Sequence, residues 1–146
     1  MKFEEIQEMW RKDSVIDSES LDKEALRIPQ LFSKYLDILS VKKFQLDKIE
    51  SDVRKMRRLR YLYYRGVLDS DELKKQNWEP WQLAVSKNTD VQNCIEGDSL
   101  IESLLSKRSY IQVQVDFLDS VVRMISNRSF QIRDSISWTK FVNGVD

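Results

Sequence analysis

The sequence predicts an all-α protein whose long, heptad-patterned helices pack as an antiparallel helical hairpin or bundle. Gly occurs three times and Pro twice in 146 residues, and 33% of the residues are charged, a composition that favours long helices. Apolar residues recur at alternating steps of three and four along two long stretches, which is typical of helices packed lengthwise on other helices. About 30 residues join the two stretches, so the second helix can return beside the first.

The first half of the chain predicts a short helix followed by a long one. Apolar side chains at helical spacing indicate an amphipathic helix in residues 3–10. After a polar break, a long helix begins at Leu21, and Pro29 predicts a kink or a split in it. Gly66 ends this helix at the position that favours glycine. The register of the helix comprises Ala25, Ile28, Phe32, Tyr35, Leu39, Leu46, Ile49, Val53, Met56 and Tyr63, with the charged residues Lys42 and Arg60 at two further positions.

The second half of the chain predicts a helix start, a loop and the second long helix. Asp69 and Glu72 have the spacing of an N-cap and the third residue of a helix. Residues 86–96 show little periodicity and are predicted to form a loop. Ser99 and Glu102 have capping-box spacing at the start of the long helix. The apolar register of this helix comprises Leu100, Leu104, Ile111, Val115, Leu118, Val122 and Ile125.

Size and composition restrict the class of protein. A chain of 146 residues predicts a single helical domain, residues 1–146, with a modest core that oligomerisation would help to stabilise. The absence of histidine removes the commonest general base and the commonest metal ligand. The three glycines stand too far apart for a phosphate-binding loop. We therefore expect no enzymatic activity, no cofactor and no bound metal.

The sequence also predicts a cytoplasmic protein that does not associate with a membrane. No apolar run reaches the roughly 18–20 residues of a membrane span, and the mean hydropathy is −0.52. The first residues, MKFEEIQEMWRKD, lack the apolar core of a secretion signal. A single cysteine excludes a disulfide within the chain and fits a reducing compartment.

The basic segment, residues 54–66 with the sequence RKMRRLRYLYYRG, carries six cationic side chains and no acidic one, although the whole chain has 24 Lys+Arg and 24 Asp+Glu. On a helix, five arginines and two tyrosines of the segment share one arc of about 160°. Arginine forks match phosphate oxygens, and tyrosine rings stack on unpaired bases, so the segment predicts binding of single-stranded nucleic acid. The predicted binding residues are Arg54, Arg57, Arg58, Arg60, Tyr61, Tyr64 and Arg65.

Several alternatives compete with this interpretation of the basic segment. The segment is also compatible with a solvated charged face that the helix dipole favours near a C-terminus. Acids of the same chain are a second partner, because 24 acids face only 18 bases once the segment is set aside. Two further classes of protein are a scaffold or adaptor that binds an acidic protein and a carboxylate-metal nuclease. A membrane surface ranks below nucleic acid as the anionic partner, because the segment carries arginine in place of lysine and the apolar side of the helix belongs to the packing register.

Four blocks of the sequence carry a resemblance to a known family. These blocks are DSVIDS at 13–18, SKYL at 33–36, RLR at 58–60 with Tyr63 and Tyr64, and SNRSFQI at 126–132. Their order and spacing, over residues 3–144, resemble the UvsY family of recombination mediators from T4-like bacteriophages. No single block is diagnostic, whereas the succession of all four is.

The resemblance implies a nonenzymatic mediator that binds single-stranded DNA without sequence preference. Such proteins help to load a RecA-like recombinase, of the UvsX type, onto strands coated by the phage single-strand-binding protein. The implied location is the cytoplasm of the infected bacterial host. Arg58 and Arg60 correspond to the basic pair that the family uses for strand binding.

The resemblance also implies a ring-like homo-oligomer, a hexamer or a heptamer. The segment that supports assembly in this family corresponds to residues 129–141 here. Its apolar side chains are Phe130, Ile132, Ile136, Trp138 and Phe141.

Overall fold

A computed structural model describes residues 1–83 and 87–144, and within them the secondary structure is entirely helical, which confirms the predicted fold class. The elements, in chain order, are α1 (Phe3–Asp13), α2 (Leu21–Tyr64), α3 (Ser70–Gln76), α4 (Asn88–Glu96), α5 (Ser99–Ser126) and α6 (Arg128–Val142). The short first helix and both long helices lie where the apolar spacing predicts them. The C-terminal segment 129–141 is helical along its whole length.

The chain divides into two compact units. The first unit comprises Met1–Lys43 and Val113–Asp146, and the second comprises Phe44–Gln112. Each of the long helices α2 and α5 therefore contributes one part to each unit. The prediction of a single domain stays a prediction.

Within the second unit, α2 and α5 run antiparallel. Arg60 of α2 pairs with Asp98, the residue before α5, and Glu50 pairs with Arg108 further along α5. The partner on α5 is later in the chain when the residue on α2 is earlier, so the two helices run in opposite directions. This confirms the predicted antiparallel pairing in this unit.

The core of the first unit follows the predicted register of α2 from Tyr35 onward. Tyr35 and Leu39 of that register are buried, but before them it is Leu31, outside the register, that is buried, whereas Phe32 is half-buried and Ala25 is exposed. Leu118 and Ile125 of α5 are buried in the same unit. Buried apolar side chains at this spacing supply most of the stability of a helix in a protein.

Lys42, a charged residue of this register, is buried with its apolar neighbours. Its Nζ donates a hydrogen bond to the main-chain oxygen of Met1 at 3.1 Å. The buried ammonium is thereby partnered, as buried polar groups must be.

The helix α2 continues through Pro29, so the predicted split is wrong. A proline in a helix removes the hydrogen bond to the carbonyl four residues earlier, here that of Ala25. Ala25 and Pro29 are both exposed, whereas Leu31 and Tyr35 directly beyond are buried. The lost bond therefore lies on the solvent side, while burial on the other side holds the helix together.

The predicted loop at residues 86–96 is wrong over residues 88–96, which form α4; residue 86 lies outside the described residues. Val91 and Ile95 stand four residues apart on this helix and are both buried against Tyr63, Tyr64 and Ile101. Burial of two side chains on one face thus stabilises a helix whose remaining residues, apart from the partly buried Cys94, are polar.

The junction from α2 to α3 has the predicted end signals. Gly66 adopts φ +72°, the Gly66 N–H bonds to the Tyr63 carbonyl at 3.0 Å, and the Val67 N–H bonds to the Leu62 carbonyl at 3.1 Å. This is the Schellman arrangement, in which glycine is favoured at the left-handed position. Asp69 then caps α3 by accepting a hydrogen bond from the Glu72 N–H at 2.8 Å.

A buried arginine attaches the start of α6 to α1. The Nη2 atom of Arg128 donates to the carbonyls of Asp13 and Ser14, both at 2.8 Å. Ile132, one turn later, is buried as well, whereas Phe130, Ile136, Trp138 and Phe141 are exposed. The helix α6 is therefore held to its own chain at its start and presents most of its large apolar side chains to solvent.

Candidate nucleic-acid interface

The basic segment forms the end of α2 and the turn after it, and its cations divide into two sets. Arg54, Arg57, Arg58 and Arg65 are exposed. Across residues 1–83 and 87–144, none of these four forms an ion pair. Their guanidinium groups are therefore available to an anionic partner. Arg60 differs from them in both respects.

Arg60 points into the second unit, so its predicted place in an exposed arc is wrong. Its Nε atom donates to Oδ2 of Asp98 at 2.5 Å, and only 13% of its side chain is exposed. The guanidinium carbon also lies 4.4, 4.9 and 4.7 Å from the ring centres of Tyr63, Tyr64 and Trp78. Aromatic faces at this distance attract a cation, most strongly where water is excluded. The alternative in which acids of the same chain pair with the basic segment therefore holds for Arg60.

Tyr64 accompanies Arg60 into the interior, so its predicted exposure is also wrong. It is only 6% exposed, and its hydroxyl donates to Oδ2 of Asp98 at 2.5 Å. Nη2 of Arg60 donates in turn to the Tyr64 hydroxyl oxygen at 3.1 Å, and the Tyr64 ring packs edge-on against Trp81. Residues four apart lie on one helix face, so both side chains turn toward Asp98.

Asp98 joins the end of α2 to the start of α5. Its Oδ1 atom accepts hydrogen bonds from the N–H groups of Leu100 and Ile101, both at 3.0 Å, while Oδ2 accepts from Arg60 and Tyr64. The cap of α5 is therefore one residue earlier than the spacing of Ser99 and Glu102 predicts. An aspartate here accepts hydrogen bonds from two N–H groups that have no partner within the helix, and its negative charge is stabilised by the positive end of the helix dipole.

The ionisation of this cluster follows from its contacts. Burial by itself raises the pKa of Asp98, but the hydrogen bonds from Tyr64, the Ile101 N–H and Arg60 outweigh it, so the pKa lies below its usual value. Burial and the adjacent Asp98 carboxylate raise the pKa of Tyr64 above its usual value. At neutral pH the cluster is an aspartate anion, an arginine cation and a neutral phenol.

A groove opens beside the exposed arginines. Its volume is about 660 Å³, and Arg57, Arg58 and Tyr61 of α2 form one side. The opposite side comes from α4 and α5, with the apolar residues Ile95, Ile101 and Leu105 and the polar residues Gln92, Glu96 and Glu102. Tyr61 is half-buried, and its hydroxyl accepts a hydrogen bond from Nη1 of Arg65 at 3.2 Å. The groove thus has a cationic side with one aromatic ring and an acidic side over an apolar floor.

Arg108 of α5 extends the cationic surface and is a residue that the sequence analysis does not single out. With Arg54, Arg57 and Leu105 it lines a second groove of about 270 Å³. It is partly exposed and pairs with Glu50 at 3.2 Å. Its position becomes evident only from the antiparallel pairing of α2 with α5, because nothing in its immediate sequence distinguishes it.

Two further properties of the described residues bear on the alternative classes. Within them, no helix is both long and apolar enough to cross a bilayer. In the same part of the chain, no three His, Cys, Asp or Glu side chains are grouped as a metal site would need.

Comparisons with known proteins agree with the resemblance. The model of the family described as "Recombination, repair and ssDNA binding protein UvsY" matches residues 9–145. The recombination protein uvsY of Enterobacteria phage T4 is 27% identical over 133 residues, which are 91% of each chain. A crystal structure of the bacteriophage T4 recombination mediator protein UvsY (lattice type IV) has a TM-score of 0.82 and 26% identity, covering 97% of this chain and 99% of that one. The lattice type II crystal has the same fold, with a TM-score of 0.82 at 24% identity, covering 98% of both chains.

The Asp98→Asn substitution is expected to lower the free energy of unfolding by about 3 kcal/mol at pH 7, because it leaves Arg60 without its buried counter-charge. Urea unfolding followed by circular dichroism measures this change. Asp69→Asn is the matched control, since Asp69 is an N-cap that forms no ion pair with any residue the structure describes, and asparagine caps as well as aspartate. Equal losses in the two variants would contradict the role given to Asp98.

The difference in the free energy of unfolding between the parent protein and Asp98→Asn is expected to depend on pH. The folded pKa of Asp98 is depressed, so its contribution to stability is complete above its unfolded pKa of about 3.9 and is lost as pH falls through the folded value. The stability difference between the parent protein and Asp98→Asn should therefore shrink below about pH 4. A difference that stays constant from neutral pH to pH 3 would contradict the depressed pKa.

Proposed function

The chain belongs to the UvsY family of recombination, repair and single-stranded-DNA-binding proteins, and we propose that it is a recombination mediator which binds single-stranded DNA at the end of α2. The observation that carries this proposal is the group of four exposed arginines without an ion pair in residues 1–83 and 87–144. Like charges this close repel one another, and a polyanion removes that repulsion.

The strand is proposed to lie along the outer side of the basic segment. Arg54, Arg57, Arg58 and Arg65 contact phosphates, and each contact releases counterions from the strand. Tyr61 offers a ring on which an unpaired base stacks, an interaction worth about 1–3 kcal/mol per base. Arg60 and Tyr64, which the sequence places in the same binding set, act as positioning residues through Asp98.

The biological step is proposed to be nonenzymatic and to take place in the cytoplasm of the infected bacterial host. The protein holds strands that the phage single-strand-binding protein coats, weakens that coat, and helps a RecA-like recombinase of the UvsX type to nucleate. Family membership supports this step, and the T4 relative is itself described as a recombination mediator. The exposed arginines of this chain support the strand-binding part of the proposal.

Assembly into a homo-oligomer, a hexameric or heptameric ring, is proposed to occur through α6. Phe130, Ile136, Trp138 and Phe141 are exposed on this helix, and Trp138 and Phe141 are 65% and 75% exposed. Ile132, which belongs to the same predicted set, packs within its own chain. A few phosphate contacts per chain bind weakly at physiological salt, and linking several copies raises avidity by about 10²–10⁴.

The combined Arg57→Ala and Arg58→Ala substitutions are expected to weaken binding to single strands and to flatten its salt dependence. Each lost phosphate contact removes about 0.7 from the slope of log K against log salt. Fluorescence anisotropy with a labelled oligothymidylate measures affinity and slope. Lys55→Ala is the matched control, since this exposed cation of the same helix belongs to neither groove. Equal slopes in all three proteins, or no binding at low salt, would refute the proposal and favour an acidic protein as the partner.

The combined Trp138→Ser and Phe141→Ser substitutions are expected to reduce the oligomer to smaller species, because two large exposed rings leave the proposed interface. Sedimentation velocity measures the assembly, and circular dichroism checks that the helices remain. Leu26→Ser is the control, because Leu26 is 79% exposed on α2 and lies outside α6. An unchanged sedimentation coefficient in the double variant would contradict assembly through α6.

A further inference from the structure

We propose that the groove between Arg57, Arg58 and Tyr61 on one side and α4 and α5 on the other is a pocket for nucleobases of the bound strand. This inference rests on the proposed function and deepens it, because it names the part of the strand that enters the protein. Backbone binding alone requires only a cationic surface. A groove with an aromatic side, an apolar floor and a cationic edge provides more than that.

The size and lining of the groove suit unpaired bases. Its volume of about 660 Å³ falls within the roughly 300–1,000 Å³ typical of small-ligand sites. Ile95, Ile101 and Leu105 supply apolar lining, and Tyr61 supplies an aromatic ring, with the Arg65 guanidinium carbon 5.7 Å from the ring centre. A base that leaves the stack in water needs both an apolar surface and a partner for its π-face, and such contacts are tolerant of sequence.

The charges at the groove determine which part of a nucleotide enters it. Arg57 and Arg58 line the α2 side, whereas Glu96 and Glu102 line the α4 and α5 side. Phosphates are attracted to the first side and repelled from the second. The backbone therefore runs along α2, and its bases are directed across the groove toward α4 and α5, where the carboxylates and Gln92 can meet the polar edges of bases.

The buried cluster of Asp98 holds residues on two sides of this groove. Asp98 accepts a hydrogen bond from the Ile101 N–H, three residues later in the chain, and it also binds Arg60, the residue before Tyr61. Tyr61 and Ile101 on opposite sides of the groove are thus held in place by neighbours that share one carboxylate. The pocket is largely preformed, so little side-chain ordering is needed when a base enters.

The test compares an intact oligonucleotide with an abasic one of the same length, which keeps the phosphates and lacks the bases. The intact strand is expected to bind at least about fivefold more tightly to the parent protein, given the size of stacking contributions. An equal affinity for the two strands would overturn the base pocket.

A second measurement closes the groove without changing its charge. In a Cys94→Ser background, Gln92→Cys places a single thiol on the exposed α4 side of the groove, and a bulky neutral maleimide then fills the space. The unmodified thiol protein is the matched control, and the same reagent on Ser40→Cys, at an exposed position of α2 in the first unit, controls for alkylation.

Closing the groove is expected to bring the intact-to-abasic affinity ratio close to one, while abasic binding and its salt slope remain unchanged. A ratio that survives alkylation at position 92 would place the base contacts elsewhere and overturn the inference. Strands that fail to bind at all at low salt would instead refute the proposed function, so the two failures are distinguishable.

Discussion

The buried carboxylate of Asp98 is the contact on which the rest of the interface depends. One oxygen caps α5 through two main-chain N–H groups, and the other accepts hydrogen bonds from Arg60 and Tyr64 near the end of α2. A carboxylate side chain with 0% exposure is stable only because these four donors compensate for its lost hydration. The contact joins two helix ends that are 34 residues apart along the chain.

This constraint explains how one short segment serves two purposes. Arg60 occupies a position of the packing register of α2 and is enclosed by Tyr63, Tyr64 and Trp78. Arg57 and Arg58, three and two residues before it, remain exposed. The ion pair of Arg60 with Asp98 lessens the repulsion among the cations of the segment. The other four guanidinium groups of the segment remain for an external polyanion. The internal salt bridge and the external binding surface are therefore complementary.

Much of this fold is predictable from sequence, because the steps of three and four along α2 and α5 depend only on local spacing. The helix α4 is not predictable from local spacing, because its two buried residues, Val91 and Ile95, are stabilised by burial against other elements. Arg60 belongs by spacing both to the outer arc and to the packing register of α2, and in the structure burial on the packing side determines its position. Spacing alone does not distinguish Asp98 from Ser99 as the cap of α5, since aspartate and serine both cap helices. Arg108 and the acidic side of the groove required the pairing of α2 with α5, which no local pattern contains.

The most direct test of the role of Asp98 and Arg60 is the salt dependence of single-strand binding by Arg60→Gln, measured beside Arg58→Gln at a temperature where both are folded. Arg58→Gln is expected to lose about 0.7 from the slope per contact, with an unchanged melting temperature. Arg60→Gln is expected to melt at a lower temperature and to keep the parent slope, because its guanidinium binds Asp98 rather than a phosphate. A flattened slope for Arg60→Gln with an unchanged melting temperature would contradict this division of roles.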